Sequence, residues 1–288
     1  MTASFKAACI QLNAGREIEP NIRAAADLVR RARDAGADLI MTPEVSDMIE
    51  PKRSARLEKA RDEASHPMLA AFRALARETG AHLLLGSIMI RAAGDSQRGN
   101  NRLANRSFLI APDGNILARY DKIHMFDVDL PGGESYRESA VFRPGEAAVL
   151  APLPWGVLGL SICYDLRFPQ LYRGLAQSGA DFLSIPAAFT VPTGKAHWHV
   201  LMRARAIENG CFVFAPAQCG EHAEGRRTYG HSLIVAPWGE VLAEAGEAVE
   251  FILAEIDPGR VAEARRAVPA LHHDRPFALP PKRPLAAE

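Results

Sequence analysis

No apolar run in this 288-residue chain approaches the roughly 20 residues that cross a bilayer, so no membrane helix is expected. Neither sign of charge prevails. The 34 Lys and Arg balance 34 Asp and Glu, which leaves no electrostatic grip on nucleic acid or an anionic membrane. Cysteine is scarce, and Cys9, Cys163, Cys211 and Cys219 show no C-x-x-C spacing, which argues against a zinc knuckle or a redox dithiol. Met1-Thr2-Ala3-Ser4-Phe5-Lys6 lacks the apolar core of a secretory signal, and free thiols without one are expected in a reducing cytoplasm. What is present is an ordinary globular composition, 48% apolar, with enough length to bury a sizeable core.

The chain also contains an internal repeat. Gly36-Ala37-Asp38-Leu39-Ile40-Met41-Thr42-Pro43 returns as Gly179-Ala180-Asp181-Phe182-Leu183-Ser184-Ile185-Pro186. The stretch from Gly80 to Ser87 is echoed from Gly210 to Ala217, and Ser107 to Ala118 matches Ser232 to Ala243. Three pairs in the same order predict two copies of one supersecondary layout. In each copy, helices precede short apolar strands. Residues 20–35 carry Ile22, Ala25, Ala26, Val29 and Ala32 on one stripe, and Pro67 to Thr79 carry Leu69, Phe72, Leu75 and Ala76. The second copy supplies helices from Gln170 to Ser178 and from His197 to Asn209. The third pair reads as strand, Pro-x-Gly turn, strand. Near-continuous apolar strands need cover on both faces. The expected fold is therefore α/β: a four-layer α-β-β-α sandwich with an internal pseudo-two-fold repeat, as one domain over residues 1–257. Residues 258–288, with Pro269, Pro276, Pro280, Pro281 and Pro284, predict an extended arm at a subunit interface or partly loose.

Three residues invite chemistry. Cys163 ends the apolar run Gly159-Leu160-Ser161-Ile162 at a strand-to-helix turn, where a thiol can face a cleft and backbone N–H groups can face developing charge. A buried structural thiol is the bland reading. Glu44 follows the first-copy strand, where the second copy has Ala187; a single site on a two-fold frame would show that asymmetry. Lys122 lies just past the first hairpin and would otherwise be solvated. Together they supply a nucleophile, a base and a cation. A thiol–imidazole pair, Cys163 with His231, is the competing arrangement. Nine histidines raise the question of a metal, but His197 and His199 point to different helix faces and no third ligand has recognisable spacing, so neither metal nor cofactor is expected.

Pro43-Glu44, Tyr120-Asp121-Lys122-Ile123-His124, Cys163-Tyr164-Asp165-Leu166-Arg167-Phe168-Pro169 and Gly230-His231-Ser232 resemble the signatures of the nitrilase superfamily of carbon–nitrogen hydrolases. Phe126-Asp127-Val128-Asp129-Leu130-Pro131-Gly132-Gly133 and Thr193-Gly194-Lys195-Ala196-His197-Trp198 are similar to its Nit branch. Within that branch, Ala217-Gln218-Cys219-Gly220-Glu221-His222 is more similar to the deaminated glutathione amidases than to the ω-amidases. The resemblance implies a thiol-dependent amidase for a small carboxylate-bearing amide, deaminated glutathione ahead of α-ketoglutaramate, working as a homodimer or larger assembly. It implies a Glu44-Lys122-Cys163 triad, a supporting Glu138, an oxyanion held by the Tyr164 N–H, and Phe189 and Thr190 in the pocket. Arg167, or less strongly Arg173, would anchor the substrate carboxylate. Arg203 and Arg205 read as a solvated or subunit-contact face. For Glu44 to act as base, burial is expected to raise its pKa.

Overall fold

Along the first strand, β1 (Phe5–Gln11), every side chain but Lys6 is buried, yet neighbours face opposite ways. Ala7 and Cys9 join a core shared with the second half of the chain, whereas Ala8 and Ile10 pack under helices of the first half. Both faces of such a strand must be covered, which explains its unbroken apolar sequence. The computed structural model describes residues 3–91, 102–130 and 133–280.

Two six-stranded sheets form the middle of the molecule. The first runs β16 (Glu250–Ile256), β1, β2 (Leu39–Met41), β3 (His82–Arg91), β4 (Leu103–Ile110) and β5 (Ile116–Asp121). The second runs β8 (Val149–Leu153), β9 (Gly156–Leu160), β10 (Phe182–Ser184), β11 (Phe212–Ala215), β14 (Leu233–Val235) and β15 (Val241–Glu244). Read in this direction, both sheets share one pattern: an antiparallel edge, two parallel pairings, then two antiparallel ones. All three repeated sequence pairs fall on equivalent strands. Helices α1 (Ile18–Asp34) and α3 (Pro67–Thr79) cover the first sheet; α4 (Pro169–Gln177) and α5 (Val191–Asn209) cover the second. The result is the α-β-β-α sandwich. Between the sheets Phe5 stacks on Trp155 at 4.2 Å and meets Phe182 edge-on at 5.5 Å. Two short ribbons, β6 (Asp127–Asp129) with β7 (Ser135–Arg137) and β12 (Cys219–Glu221) with β13 (Arg227–Tyr229), and the short helix α2 (Arg53–Lys59) stand beside the sandwich.

Local chemistry accounts for the helix ends. Gly80 and Gly210 close α3 and α5 in the left-handed conformation, at φ 66° and 56°. Helix α5 starts six residues before the expected His197, because Val191-Pro192-Thr193-Gly194 has no apolar periodicity to betray it. Pro192 suits the first turn, the Thr190 and Thr193 hydroxyls bond at 2.8 Å, and Gly194 leaves room for Tyr229. A Cβ on Gly194 would come within 2.2 Å of the Tyr229 ring.

The segment after residue 257 departs from the expectation of an extended arm. It opens with a helix, α6 (Gly259–Ala267), which buries Val261 and Ala264. Beyond a turn at Ala270–His272 the described residues form neither helix nor strand, and there Asp274 pairs with Arg173 of α4. Residues 281–288 of the arm, and Pro131-Gly132 of the Nit-like motif, lie outside the described residues. Among the described residues, no helix is long and apolar enough to cross a membrane.

Candidate active site

Glu44 is positioned by a tight backbone crossing. After β2 the chain runs Thr42-Pro43-Glu44 beneath a bulge in β3 between Leu85 and Ile88. Gly86 sits in that bulge, and a Cβ there would fall 1.9 Å from the Thr42 carbonyl oxygen and 2.5 Å from that of Pro43. Only glycine fits. The crossing is stitched by Ser87 N to Pro43 O (3.2 Å), Ser46 N to Ser87 O (2.9 Å) and Val45 N to Ser87 Oγ (2.8 Å). Val45 itself adopts φ 47°, an uncommon conformation for a β-branched residue. We expect Gly86→Ala to cost at least about 3 kcal/mol of stability, as overpacking against backbone does, and to lower any activity that uses Glu44. Urea unfolding alongside a turnover assay tests this. Wild-type values for both would mean that the Glu44 strand end tolerates displacement.

Lys122 follows β5 directly, and Cys163 opens a 3₁₀ turn (Cys163–Arg167) separated from β9 by two residues. Asp165 fastens the two stretches together. Its buried carboxylate accepts from the Tyr120 hydroxyl (2.7 Å), the His124 N–H (3.0 Å) and the Ile162 N–H (2.9 Å), and pairs with His124 Nδ1 at 2.7 Å. Tyr120 and His124 flank Lys122 in sequence, so one carboxylate holds the lysine loop against the cysteine turn. His124 also stacks on Phe168 at 3.5 Å. Arg205, expected on a solvated face, is instead buried, with Nε and Nη2 both donating to Leu166 O of that turn (3.0 and 2.7 Å). Cys163 takes φ 49°, left-handed backbone that costs about 1–3 kcal/mol and turns the side chain out of the strand direction.

The three side chains meet. Lys122 Nζ lies 2.8 Å from Glu44 Oε1 and 3.0 and 2.8 Å from the two oxygens of Glu138. Asn105 donates Nδ2 to both Glu44 (3.0 Å) and Glu138 (3.3 Å), the Ala188 N–H donates to Glu44 Oε2 (3.0 Å), and the Phe126 N–H donates to Glu138 Oε2 (2.7 Å). Gln218 Nε2 holds the Glu44 backbone carbonyl at 3.0 Å. Glu44, Lys122, Glu138 and Cys163 all line one cavity of about 750 Å³, to which Tyr164, Phe189 and Thr190 also contribute. Glu134, the neighbour of Glu138, instead bonds the Tyr136 hydroxyl.

Electrostatics set the resting protonation. Burial alone would raise the Glu44 pKa, but the Lys122 charge and hydrogen bond, helped by Cys163 and Arg226, hold it below the usual carboxylate range. The expectation of a raised Glu44 is thereby corrected. Burial would also strip Lys122 of its proton, yet Glu138, Glu44 and Cys163 keep it well above its ordinary range. Burial and then the Glu44 charge push the Cys163 thiol well up, and Lys122 offsets only part of this. The site therefore rests as carboxylate, ammonium and thiol: a base beside a protonated nucleophile.

Other expected residues lie elsewhere. Arg167 does not line the cavity among the described residues; its guanidinium sits over the Phe189 ring at 5.4 Å and bonds His197 Nδ1 at 3.2 Å. Arg173 is engaged by Asp274. His231 faces Glu244 (3.1 Å), outside the cavity, which removes the thiol–imidazole pair. His199 bonds the same Glu244 oxygen at 2.9 Å, so His199, His231 and Glu244 gather, a grouping that no sequence spacing marks. Sequence reasoning missed Asn105, Asp165 and Arg226. For Asn105 the local sequence carries little signal, because Arg106 and Ser107 follow it in the same strand, Leu103–Ile110.

Residues 6–266 match the family model described as carbon-nitrogen hydrolase. A Synechocystis sp. protein named deaminated glutathione amidase is 42% identical over 273 residues, 93% of this chain and 97% of that one. A Bos taurus protein of the same name is 40% identical over 273 residues, covering 93% and 81%. The crystal structure of the C. elegans NitFhit protein superposes with a TM-score of 0.88 at 37% identity, over 95% of this chain and 66% of that one.

Proposed function

The chain belongs to the carbon–nitrogen hydrolase family, and from that premise we propose that Glu44, Lys122 and Cys163 carry its amidase reaction on a small carboxylate-bearing amide, first of all deaminated glutathione. The substrate is the one for which the Synechocystis sp. and Bos taurus relatives are named. The observation that carries the chemistry is the buried Lys122 ammonium clasped between Glu44 and Glu138 in the cavity that Cys163 lines.

In this reading the Cys163 sulfur attacks the amide carbon while Glu44 takes the thiol proton. The carbonyl oxygen becomes an oxyanion held by the Lys122 ammonium and the Tyr164 N–H, which lies in the first turn where intrahelical acceptors run out. Such a donor is worth about 3–4 kcal/mol elsewhere. The tetrahedral intermediate then breaks its C–N bond, the nitrogen leaves with the proton from Glu44, and a thioester remains on Cys163. Glu44 next deprotonates a water that hydrolyses the thioester, and the sulfur regains its proton. Glu138 keeps Lys122 charged and fixed throughout. No step calls for a metal or an organic cofactor. The extended arm, with Phe277 and Leu279 exposed, would cover a partner subunit in a homo-oligomer, and the compartment we infer is the cytoplasm.

Steady-state kinetics on deaminated glutathione, α-ketoglutaramate and a simple nitrile, run in parallel, test the substrate. The first is expected to lead in kcat/KM by at least about tenfold. A lead by α-ketoglutaramate would move the chain to ω-amidase activity. The same assay reads the base. A depressed Glu44 stays a carboxylate as pH falls through the ordinary glutamate range, so its acid limb lies below the usual 4.5. The raised thiol places any Cys163 ionisation above 9.0. Profiles of kcat/KM should thus be level between about pH 5 and 8; a limb near ~6.5 would point to an imidazole base instead.

A further inference from the structure

The charges that line the cavity are not all answered within it. Glu44 and Glu138 are committed to Lys122, and Glu50 pairs with Lys59 and Arg16. Arg56 and Arg226 also line it, and among the described residues neither forms an ion pair with a carboxylate. The Arg56 guanidinium, on α2, donates among the described residues only to the backbone carbonyls of Glu50 and Pro51. The Arg226 guanidinium, just before β13, reaches among the described residues only the Ala188 carbonyl, at 3.4 Å, and lies over the Tyr136 ring at 5.6 Å. Its Nε is buried without any hydrogen-bond partner. Burial, and then the facing charge of Arg226, push the Arg56 guanidinium down from its ordinary range, as two unneutralised cations across a partly desolvated space would. Leaving such groups unpaired is costly unless something else completes them.

We propose that Arg56 and Arg226 together form the anion subsite of this cavity and hold a carboxylate of the amide substrate. Planar guanidinium donors suit a carboxylate, and two of them converging from separate elements define its place. The placement relative to the reacting atoms is suitable for a small molecule. Ala188 accepts from Arg226 through its carbonyl and donates to Glu44 through its N–H, so a single residue separates the cation from the base. The subsite assigns to Arg226 and Arg56 the anchoring task that the sequence pointed to at Arg167. It rests on the amidase reading but can fail separately from it.

The experiment compares an ω-amide of a dicarboxylic acid with its neutral methyl ester, in the wild type and in Arg226→Gln and Arg56→Gln. The wild type should favour the anionic amide. Each variant should raise KM for that amide by at least about tenfold, the scale of a lost charge-assisted bond, and by far less for the neutral amide. Arg226→Lys should recover part of the loss. Glutarate, which has no amide to cleave, gives the same comparison without turnover: its Kd, measured by calorimetry, should weaken in step. Variants that fold, turn over amides and keep both KM and glutarate affinity within about twofold of wild type would overturn the subsite and leave the amidase reading intact. A wild type that binds glutarate through Arg226 yet cleaves no amide would overturn the amidase reading and leave the subsite standing.

Discussion

Cys163→Ala is expected to fold as the wild type does and to lose at least about 10⁴-fold in amide turnover. The loss is large because the other hydroxyls that line the cavity are engaged elsewhere. Thr190 and Thr193 bond each other, and Ser135 bonds Asp129. The Tyr136 hydroxyl bonds Glu134, and among the described residues none of these hydroxyls bonds Glu44. The fold should survive because the change removes one sulfur while leaving its backbone bond to Pro186 O (2.9 Å) and the Asp165 clamp in place. Alanine meets the left-handed φ with a strain similar to that of cysteine, so the stability change should stay within about 1 kcal/mol. Thermal unfolding, turnover and intact mass after substrate addition make the measurement. Turnover near wild type would mean that Cys163 is not the nucleophile, and a collapsed fold would mean that the thiol has a packing role instead. The other cysteines give an internal control, because Cys9, Cys211 and Cys219 are buried and do not line the cavity.

Much of this arrangement is legible in the sequence because it is written into strand ends. Glu44 and Cys163 stand where an apolar run stops, Lys122 stands just past the second strand of a hairpin, and the repeat shows which strands occupy equivalent places in the two sheets. What binds those ends together is less legible. Asp165 acts on residues 41 to 45 positions away, and nothing in its local sequence says that Tyr120 and His124 will come to it. Arg226 lies in a loop without periodicity, so its aim toward the cavity depends on how β12 and β13 pair. Arg167 illustrates the converse. Its place in the cysteine turn suggested substrate contact, but a long side chain goes where its partners are, and those are Phe189 and His197. Helix α6 was hidden by the prolines that follow it; Pro258 at its start is itself a helix-opening signal. The charge state of Glu44 was out of reach for the same reason as the clamp: burial and Lys122 pull in opposite directions, and only distances decide the winner.

Replacing Glu44, the proposed base, is expected to separate two kinds of thiol chemistry. In Glu44→Gln, Lys122 keeps its bonds to Glu138 and remains an ammonium beside Cys163. The charge that helps to hold the thiol up is gone, so the sulfur should remain open to alkylation by iodoacetamide, where the leaving iodide needs no proton. Amide cleavage is different. The nitrogen cannot leave without a proton, and the glutamine amide can neither accept the thiol proton nor return it, so turnover should fall by about 10³-fold or more. The variant should also be less stable. Lys122 and Asn105 donate to one oxygen of Glu44 and Ala188 donates to the other, so the new NH₂ group must face a donor whichever way the amide turns, at a cost of about 1–3 kcal/mol. Intact mass should show the alkylated protein with iodoacetamide and no acyl adduct with the amide. Normal accumulation of the acyl adduct would remove Glu44 from the first step, and joint loss of alkylation and turnover would mean that the substitution had disordered the Cys163 turn rather than removed a base.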